Sequence, residues 1–295
     1  MRFAMMIEPQ QDVAWSTHVE IAQRAEAAGF EILYRSDHYE SFPGPAGKRT
    51  TDAWATIAGL VHETSTLRHG TMVSPVTFRH PANVAKVVAT IDEMSGGRVE
   101  LGLGAGWNEP EHTRHGLAFH DWTTRIEMME EQFQIVRGFW TEEPGWSFHG
   151  EHYTVEDTRY APKPVQQPGI PLVMGTVGKP RGLRTAARWS DHLNLNTIDP
   201  AGTAETLGRF RDTCATRSCM ARRPANSRYR AISSIGSSSP ATSSSRTGRP
   251  ASRAARPSSP RAPTCPGRPA RCSSGGWAGT RRSRSGTSSG IRART

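Results

Sequence analysis

Short apolar runs alternate with amphipathic stretches of helical period over residues 1–213. The runs Arg2–Ile7, Phe30–Arg35, Thr71–Val76, Arg98–Leu103, Pro171–Met174 and Asp191–Asn196 predict strands. Between the first two, Ser16 or Thr17 can cap a helix with Val19, Ile21, Ala22, Ala25 and Ala28 on one side, which Gly29 ends. Asp52 caps a helix over Ala53–Glu63, and Pro81–Met94 is amphipathic. Asp121 or Thr123 opens a long helix with Ile126, Met129, Phe133, Ile135, Val136 and Phe139 at helical spacing. Arg181–Trp189 and Pro200–Thr213 complete the helices. Two short runs, Ser147–Phe148 and His152–Val155, flank Gly150 and read as a hairpin excursion. Six alternating β/α units require a parallel sheet, because a strand followed by a helical crossover returns parallel. The architecture expected is a (β/α)8 TIM barrel lacking its last two strands, with an open doubly wound sheet as the alternative.

Charge divides the chain into two expected parts. Residues 1–212 carry 20 basic and 27 acidic residues, a net charge of −7, whereas residues 213–295 carry 17 Arg and no acid, a net charge of +17. The pI near 10.1 therefore describes the second part alone. Residues 217–295 lack Leu, Val, Phe, Asp, Glu, His and Lys, so they cannot bury enough apolar surface to offset chain entropy. Residues 214–295 are expected to be a disordered Arg/Ser/Pro-rich tail. Their residue types belong to G/C-rich codons, and a frameshift would explain the abrupt change; a tail that binds nucleic acid through phosphates is the other reading. The acidic first part, with no interleaved basic and aromatic surface, argues against nucleic acid as the partner of the whole. All four cysteines (Cys214, Cys219, Cys265 and Cys272) lie at or beyond the junction and lack zinc-ligand spacing. MRFAMMIEP has too short an apolar run for a signal peptide, and no run approaches the ~18 apolar residues of a membrane span, so a soluble cytoplasmic protein is expected.

The predicted strand exits carry the candidate chemistry. Strand two leaves through Ser36-Asp37-His38-Tyr39, the third through Ser74-Pro75, and the fourth through Gly104-Ala105-Gly106-Trp107-Asn108. The fifth leaves through Gly175-Thr176-Val177-Gly178. Glycines beyond the carboxyl end of a parallel strand let a flat ligand or phosphate approach the backbone. An imidazole there can serve proton transfer, although a loop histidine capping a turn is the plainer reading. His112, His115 and His120, with Glu109 and Glu111, match no strong zinc pattern; no metal is expected, and they read as the solvated start of a helix. The eight tryptophans and the Met128-Met129 pair read as core.

These exits resemble those of the luciferase-like flavin and deazaflavin oxidoreductases, above all the branch that uses coenzyme F420, over about residues 1–213. The resemblance implies a barrel enzyme that passes a hydride between C5 of the deazaflavin and a small organic substrate. It implies that Asp37 and His38 face the deazaflavin, with His38 as ring contact or proton donor. It implies a bulge at Met72-Val73 and Ser74, with a non-proline cis peptide at Met72–Val73; an ordinary cis-proline at Ser74–Pro75 is the alternative. It implies that Gly104, Ala105, Gly106, Trp107 and Asn108 line the ring, and that Gly175, Thr176, Val177 and Gly178 bind phosphate or ribityl, with Lys179 and Arg181 suited to an anion. The sugar-phosphate dehydrogenases of the branch carry an acid where this chain has Trp107, which speaks against a hexose phosphate. An FMN-dependent monooxygenase is the alternative within the family, and a homodimer would match its relatives. An inert product is the third possibility, because a barrel lacking two strands has open edges.

Overall fold

The computed structural model describes residues 3–196, 199–215 and 230–233. Strands β1 (Ala4–Ile7), β2 (Ile32–Arg35), β3 (Arg68–Thr71), β4 (Ser74–Pro75) and β5 (Val99–Gly104) alternate with helices α1 (Trp15–Ala27), α2 (Ala53–Glu63) and α3 (Pro81–Ser95). A short helix α4 (Glu109–Arg114) and the long α5 (Trp122–Thr141) follow. The excursion is an antiparallel pair, β6 (Trp146–His149) and β7 (Thr154–Thr158). Strands β8 (Leu172–Thr176), β9 (His192–Leu195) and β10 (Arg230–Ser233) complete the sheet, with α6 (Pro180–Trp189) and α7 (Pro200–Ala215) between them.

The main sheet runs β1-β2-β3-β5-β8-β9-β10, all parallel, with β4 paired to β5. Spatial order follows chain order throughout. A doubly wound sheet reverses direction at a switch point, so that alternative is excluded and a half-barrel with helices outside it stands. Among the described residues no pairing joins β10 back to β1. Arg230–Ser233 lies in the stretch expected to lack structure, yet its backbone pairs with β9 from His192 to Leu195; an unpaired strand edge is a template for any extended segment. The remaining tail, with its expected disorder and frameshift, lies outside the described residues.

Period-two alternation sorts each strand between two faces. Leu33 and the half-buried Met5 and Ile7 face α1 and α2, packing with Ala22, Ala25 and Leu60. Ile32, Tyr34, Met72 and Val173 form the opposite, inner face with Met6 and Val73. Leu101, Leu103, Leu172, Leu193 and Leu195 join the outer core with Val84, Val88, Met129 and Phe133. Asp52 caps α2 as expected, accepting from the Ala55 N–H at 2.9 Å. Helix α1 differs: it starts at Trp15 after an extended Ala14, with no side-chain cap, leaving Ser16 and Thr17 inside the first turn. The Trp15 ring lies where a side chain on Gly59 of α2 would be, which docks the start of α1. Trp15, Trp107 and Trp122 are exposed, a correction to the reading of the tryptophans as core, whereas Trp54, Trp140 and Met129 are buried.

His69, on β3, is buried and its Nε2 lies 2.9 Å from the Thr64 hydroxyl. Burial, helped by the Arg98 charge, pushes its pKa down from 6.5 to about 4. Unfolded chains therefore bind a proton that the folded protein refuses. Stability is full above pH 6.5 and falls as the pH drops towards 4, by about 3 kcal/mol in all. In His69→Gln, urea midpoints taken at several pH values should lose most of that slope. An unchanged slope would assign the acid limb to other groups.

Candidate active site

The carboxyl ends of β2, β4, β5 and β8 converge on one edge of the half-barrel, where the sequence places its candidates. Beyond β2, Asp37 is completely buried, and it is closed off by protein. Ser74 Oγ donates to Asp37 Oδ2 at 2.6 Å, and the Arg79 guanidinium donates to both oxygens at 2.5 and 3.2 Å. Arg79 also reaches Asp52 Oδ2 at 2.5 Å, tying the β2 exit to the start of α2. Burial opposes the Arg79 charge, but the two carboxylates outweigh it and raise its pKa. Next to this ion pair, buried Arg35 donates to the Thr51 carbonyl at 2.8 Å and holds the loop before α2. Asp37 and Ser74 thus belong to the frame of the site.

His38 occupies the open side of that frame. Its Nδ1 lies 2.9 Å from Glu111 Oε2. Its ring meets Phe42 and Trp107 edge-on, with centroids 4.4 and 6.0 Å away, and Phe42 meets Trp107 at 5.2 Å. Among the described residues no side chain or backbone group bonds His38 Nε2. With Nδ1 committed to a carboxylate acceptor, Nε2 is the nitrogen free to accept or deliver a proton. Trp107 is 66% exposed, the most exposed large apolar side chain of the described residues, and it stands beside this imidazole.

Glu111 does not lie in the solvated helix start that its sequence neighbours suggest. It is completely buried, as is His112. The Glu111 carboxylate accepts from the Tyr39 and Glu40 N–H groups, from His38, and from Asn108 Nδ2 at 3.3 Å. Burial favours its neutral form, but these hydrogen bonds outweigh burial and hold its pKa below the usual range. His112 is spent structurally: Nδ1 donates to the Asn108 carbonyl at 2.8 Å, and Nε2 accepts from Thr77 Oγ1 at 2.6 Å. Neither residue faces solvent, because α4 folds its inner turn back onto the β2 exit. Among the described residues no group of His, Cys, Asp and Glu is arranged to hold a metal ion.

The single strand expected over Thr71–Val76 is broken at Met72–Val73, whose peptide bond is cis, whereas Ser74–Pro75 is not among the cis bonds. The Val73 side chain points into a gap left by three glycines. A Cβ on Gly104 or Gly175 would lie 2.5 or 3.0 Å from Val73 Cγ2, and one on Gly102 would lie 3.1 Å from Cγ1. Gly104 and Gly175 therefore make room for the bulge. Gly106 has φ +79°, and a Cβ there would sit 3.2 Å from Thr77 Oγ1, so it turns the chain between β5 and α4. Ala105 is buried in the outer core.

Beyond β8, Thr176 Oγ1 accepts from the Gly178 N–H at 3.2 Å. Gly178 (φ +80°) passes so close to Thr206 of α7 that a Cβ would lie 2.6 Å from its methyl group. Val177 is exposed, at the same edge as Trp107. Arg181 does not face this turn. It pairs with Glu127 and Glu130 of α5 at 3.5 and 3.3 Å, which corrects its expected role; of the two basic residues expected to meet an anion, Lys179 is the one exposed at the turn.

Sequence reasoning missed Glu111, Arg79 and Phe42 as parts of the site. A buried carboxylate at a strand exit needs a cation, and Arg79 was the basic residue in the facing loop. No comparable signal marks Glu111, whose role depends on α4 folding back.

A family model described as luciferase-like monooxygenase matches residues 1–242. An uncharacterized protein of Mycobacterium tuberculosis is 31% identical over 190 residues, covering 59% of this chain and 66% of the relative. Pyrimidine monooxygenase RutA of Stutzerimonas stutzeri is 29% identical over 216 residues, covering 70% of this chain. The chain spans only 58% of RutA's length. An F420-dependent secondary alcohol dehydrogenase, solved with an F420–acetone adduct, superposes with TM-score 0.68 at 24% identity, covering 78% of this chain and 68% of that one. That likeness establishes the fold. Among the described residues no helix is long and apolar enough to cross a membrane. With its sequential parallel half-barrel and the match over residues 1–242, this chain belongs to the luciferase-like monooxygenase family.

Proposed function

We propose that the chain is an F420-dependent oxidoreductase that passes a hydride between C5 of the deazaflavin and a small organic substrate. One observation carries this reading: His38, fixed through Nδ1 by buried Glu111, leaves Nε2 unpartnered between Phe42 and Trp107. A flat heterocycle suits this edge, since aromatic side chains wall it and an imidazole nitrogen waits for a polar partner. When bound, the deazaflavin supplies the hydride chemistry. His38 keeps its own proton on Nδ1 against Glu111, and Nε2 takes the proton from the substrate heteroatom as the hydride leaves and returns it in the reverse direction. Glu111 fixes the ring and its tautomer. Phe42 and Trp107 exclude water, and the Asp37–Arg79 pair positions the strand exit. Met72, Val73 and Ser74 form the bulge behind the ring. Gly104, Gly106 and Asn108 shape the wall beside it, and the Gly175–Gly178 turn, with exposed Lys179 next to it, receives a phosphate. The reading is completed by a cytoplasmic homodimer with its catalytic residues in 1–213; residues 214–295 supply the end of α7 and the strand β10 but no residue of the site.

An FMN-dependent monooxygenase is the second reading, favoured by the 29% identity to a pyrimidine monooxygenase. Incubation with oxidised F420 and a panel of small secondary alcohols tests the first. The visible absorbance of the deazaflavin should bleach, and His38→Asn should slow bleaching about a hundredfold or more while cofactor binding persists. Oxygenation of a substrate by O2 with pre-reduced FMN as the two-electron donor, without bleaching of F420, would establish the second reading instead.

A further inference from the structure

A cavity of about 590 Å³ lies on the outer layer, between α5, α6 and α7. Arg181, Arg184 and Arg188 of α6 and Arg209 of α7 line it. Arg181 is neutralised by Glu127 and Glu130. Among the described residues Arg184, Arg188 and Arg209 have no ion-pair partner, although the Arg188 guanidinium covers the Trp189 ring at 4.7 Å. No side chain after Asp212 can supply one, because residues 213–295 contain no Asp or Glu. Three arginines without such a partner along one groove of an acidic body raise the local positive potential, while the Glu130 that also lines the cavity is taken by Arg181.

The arrangement is linear. Arg184 and Arg188 stand one turn apart, about 6 Å along α6, and Arg209 adds a charge from the neighbouring helix. A single phosphate wants converging donors, whereas a row suits several carboxylates in series. Pro180, two residues beyond Gly178, lines the cavity at the start of α6, and Arg184 follows one turn later, so the groove begins next to the end of the Gly175–Gly178 turn.

We propose that this groove binds an extended oligocarboxylate. Resting on the function proposed above, its occupant is the oligoglutamyl side arm of F420, which leaves the phosphate turn and runs along α6. The isoalloxazine-type ring is held by the strand exits, and the arginines read the arm. The groove therefore separates F420 from FMN, which has no such arm.

Three titrations of the full chain at low salt test this: a fluorescent γ-glutamyl tetrapeptide, F420, and the same deazaflavin without its phosphate and arm. Wild type should bind the peptide, and Arg184→Glu/Arg188→Glu should weaken it about tenfold or more. Added salt should weaken it likewise. F420 should lose affinity in the same variant, while the armless deazaflavin should not. Arg184→Lys/Arg188→Lys should recover most of the loss, and circular dichroism should show both variants folded. Peptide affinity unchanged by charge reversal would overturn the proposal, even if both deazaflavins bind. Peptide binding that depends on the arginines, with no binding of either deazaflavin, would leave the groove an oligocarboxylate site and overturn its assignment to the cofactor.

Discussion

Replacing Arg79 by methionine is expected to lower the unfolding free energy by about 4 kcal/mol, because it strands a buried carboxylate. Asp37 has no exposed surface, and only Ser74 would remain to it after the guanidinium is gone. The pair with Asp52 adds little, since that side chain is 41% exposed and solvent screens it. At this chain size the loss corresponds to a melting temperature lower by about 10 °C. Asp37→Asn in the Arg79→Met background should recover part of it, since a neutral amide is cheaper to bury than an unpaired charge. Thermal and urea unfolding of the two variants decide this. A loss under about 1 kcal/mol would mean that the ion pair is peripheral.

Glu111→Gln is expected to fold less stably and to turn over about a hundredfold more slowly. Four donors converge on this carboxylate: His38 Nδ1, the Tyr39 and Glu40 N–H groups and Asn108 Nδ2. An amide of the same shape must present its NH2 to one of them. Facing the backbone, it leaves buried donors unpaired at a cost of about 2 kcal/mol. Facing His38, it moves the imidazole proton from Nδ1 to Nε2 and reverses the role of the free nitrogen. Glu111→Asp keeps the charge and should rescue part of the rate. The sign with pH follows from the lowered Glu111 pKa. Its stabilisation is complete above the unfolded value of 4.5 and is lost as the pH falls through the folded value. The glutamine variant should lack that share of the acid transition. Unchanged turnover in Glu111→Gln would show that His38 does not depend on it.

Period decided what was legible in the sequence. The apolar runs placed β1, β2, β5, β8 and β9 to within about two residues, whereas the expected run Thr71–Val76 shares only Thr71 with β3, which starts at the polar Arg68; Asp52 and Asp121 gave their helix starts because a cap is a local signal. Trp15 was opaque because its place depends on Gly59, over forty residues away in another helix. Local pattern led to His38, but not to Glu111, which reaches it from a helix more than seventy residues later. The glycines illustrate a second limit. Their spacing showed that something approaches the backbone, whereas the approaching group at Gly104 and Gly175 is Val73 of the same chain. Arg181 read as an anion ligand by position alone, and two glutamates of α5 took it.

The proposed function requires a deazaflavin bound at the strand exits beside His38. Titration of the purified chain with F420 and with FMN, followed by absorbance and by quenching of the exposed Trp107, tests it most directly. Wild type should bind F420 saturably with quenching of tryptophan emission that Trp107→Phe largely loses, and should bind FMN more weakly. Saturable FMN binding with no response to F420 would contradict that function.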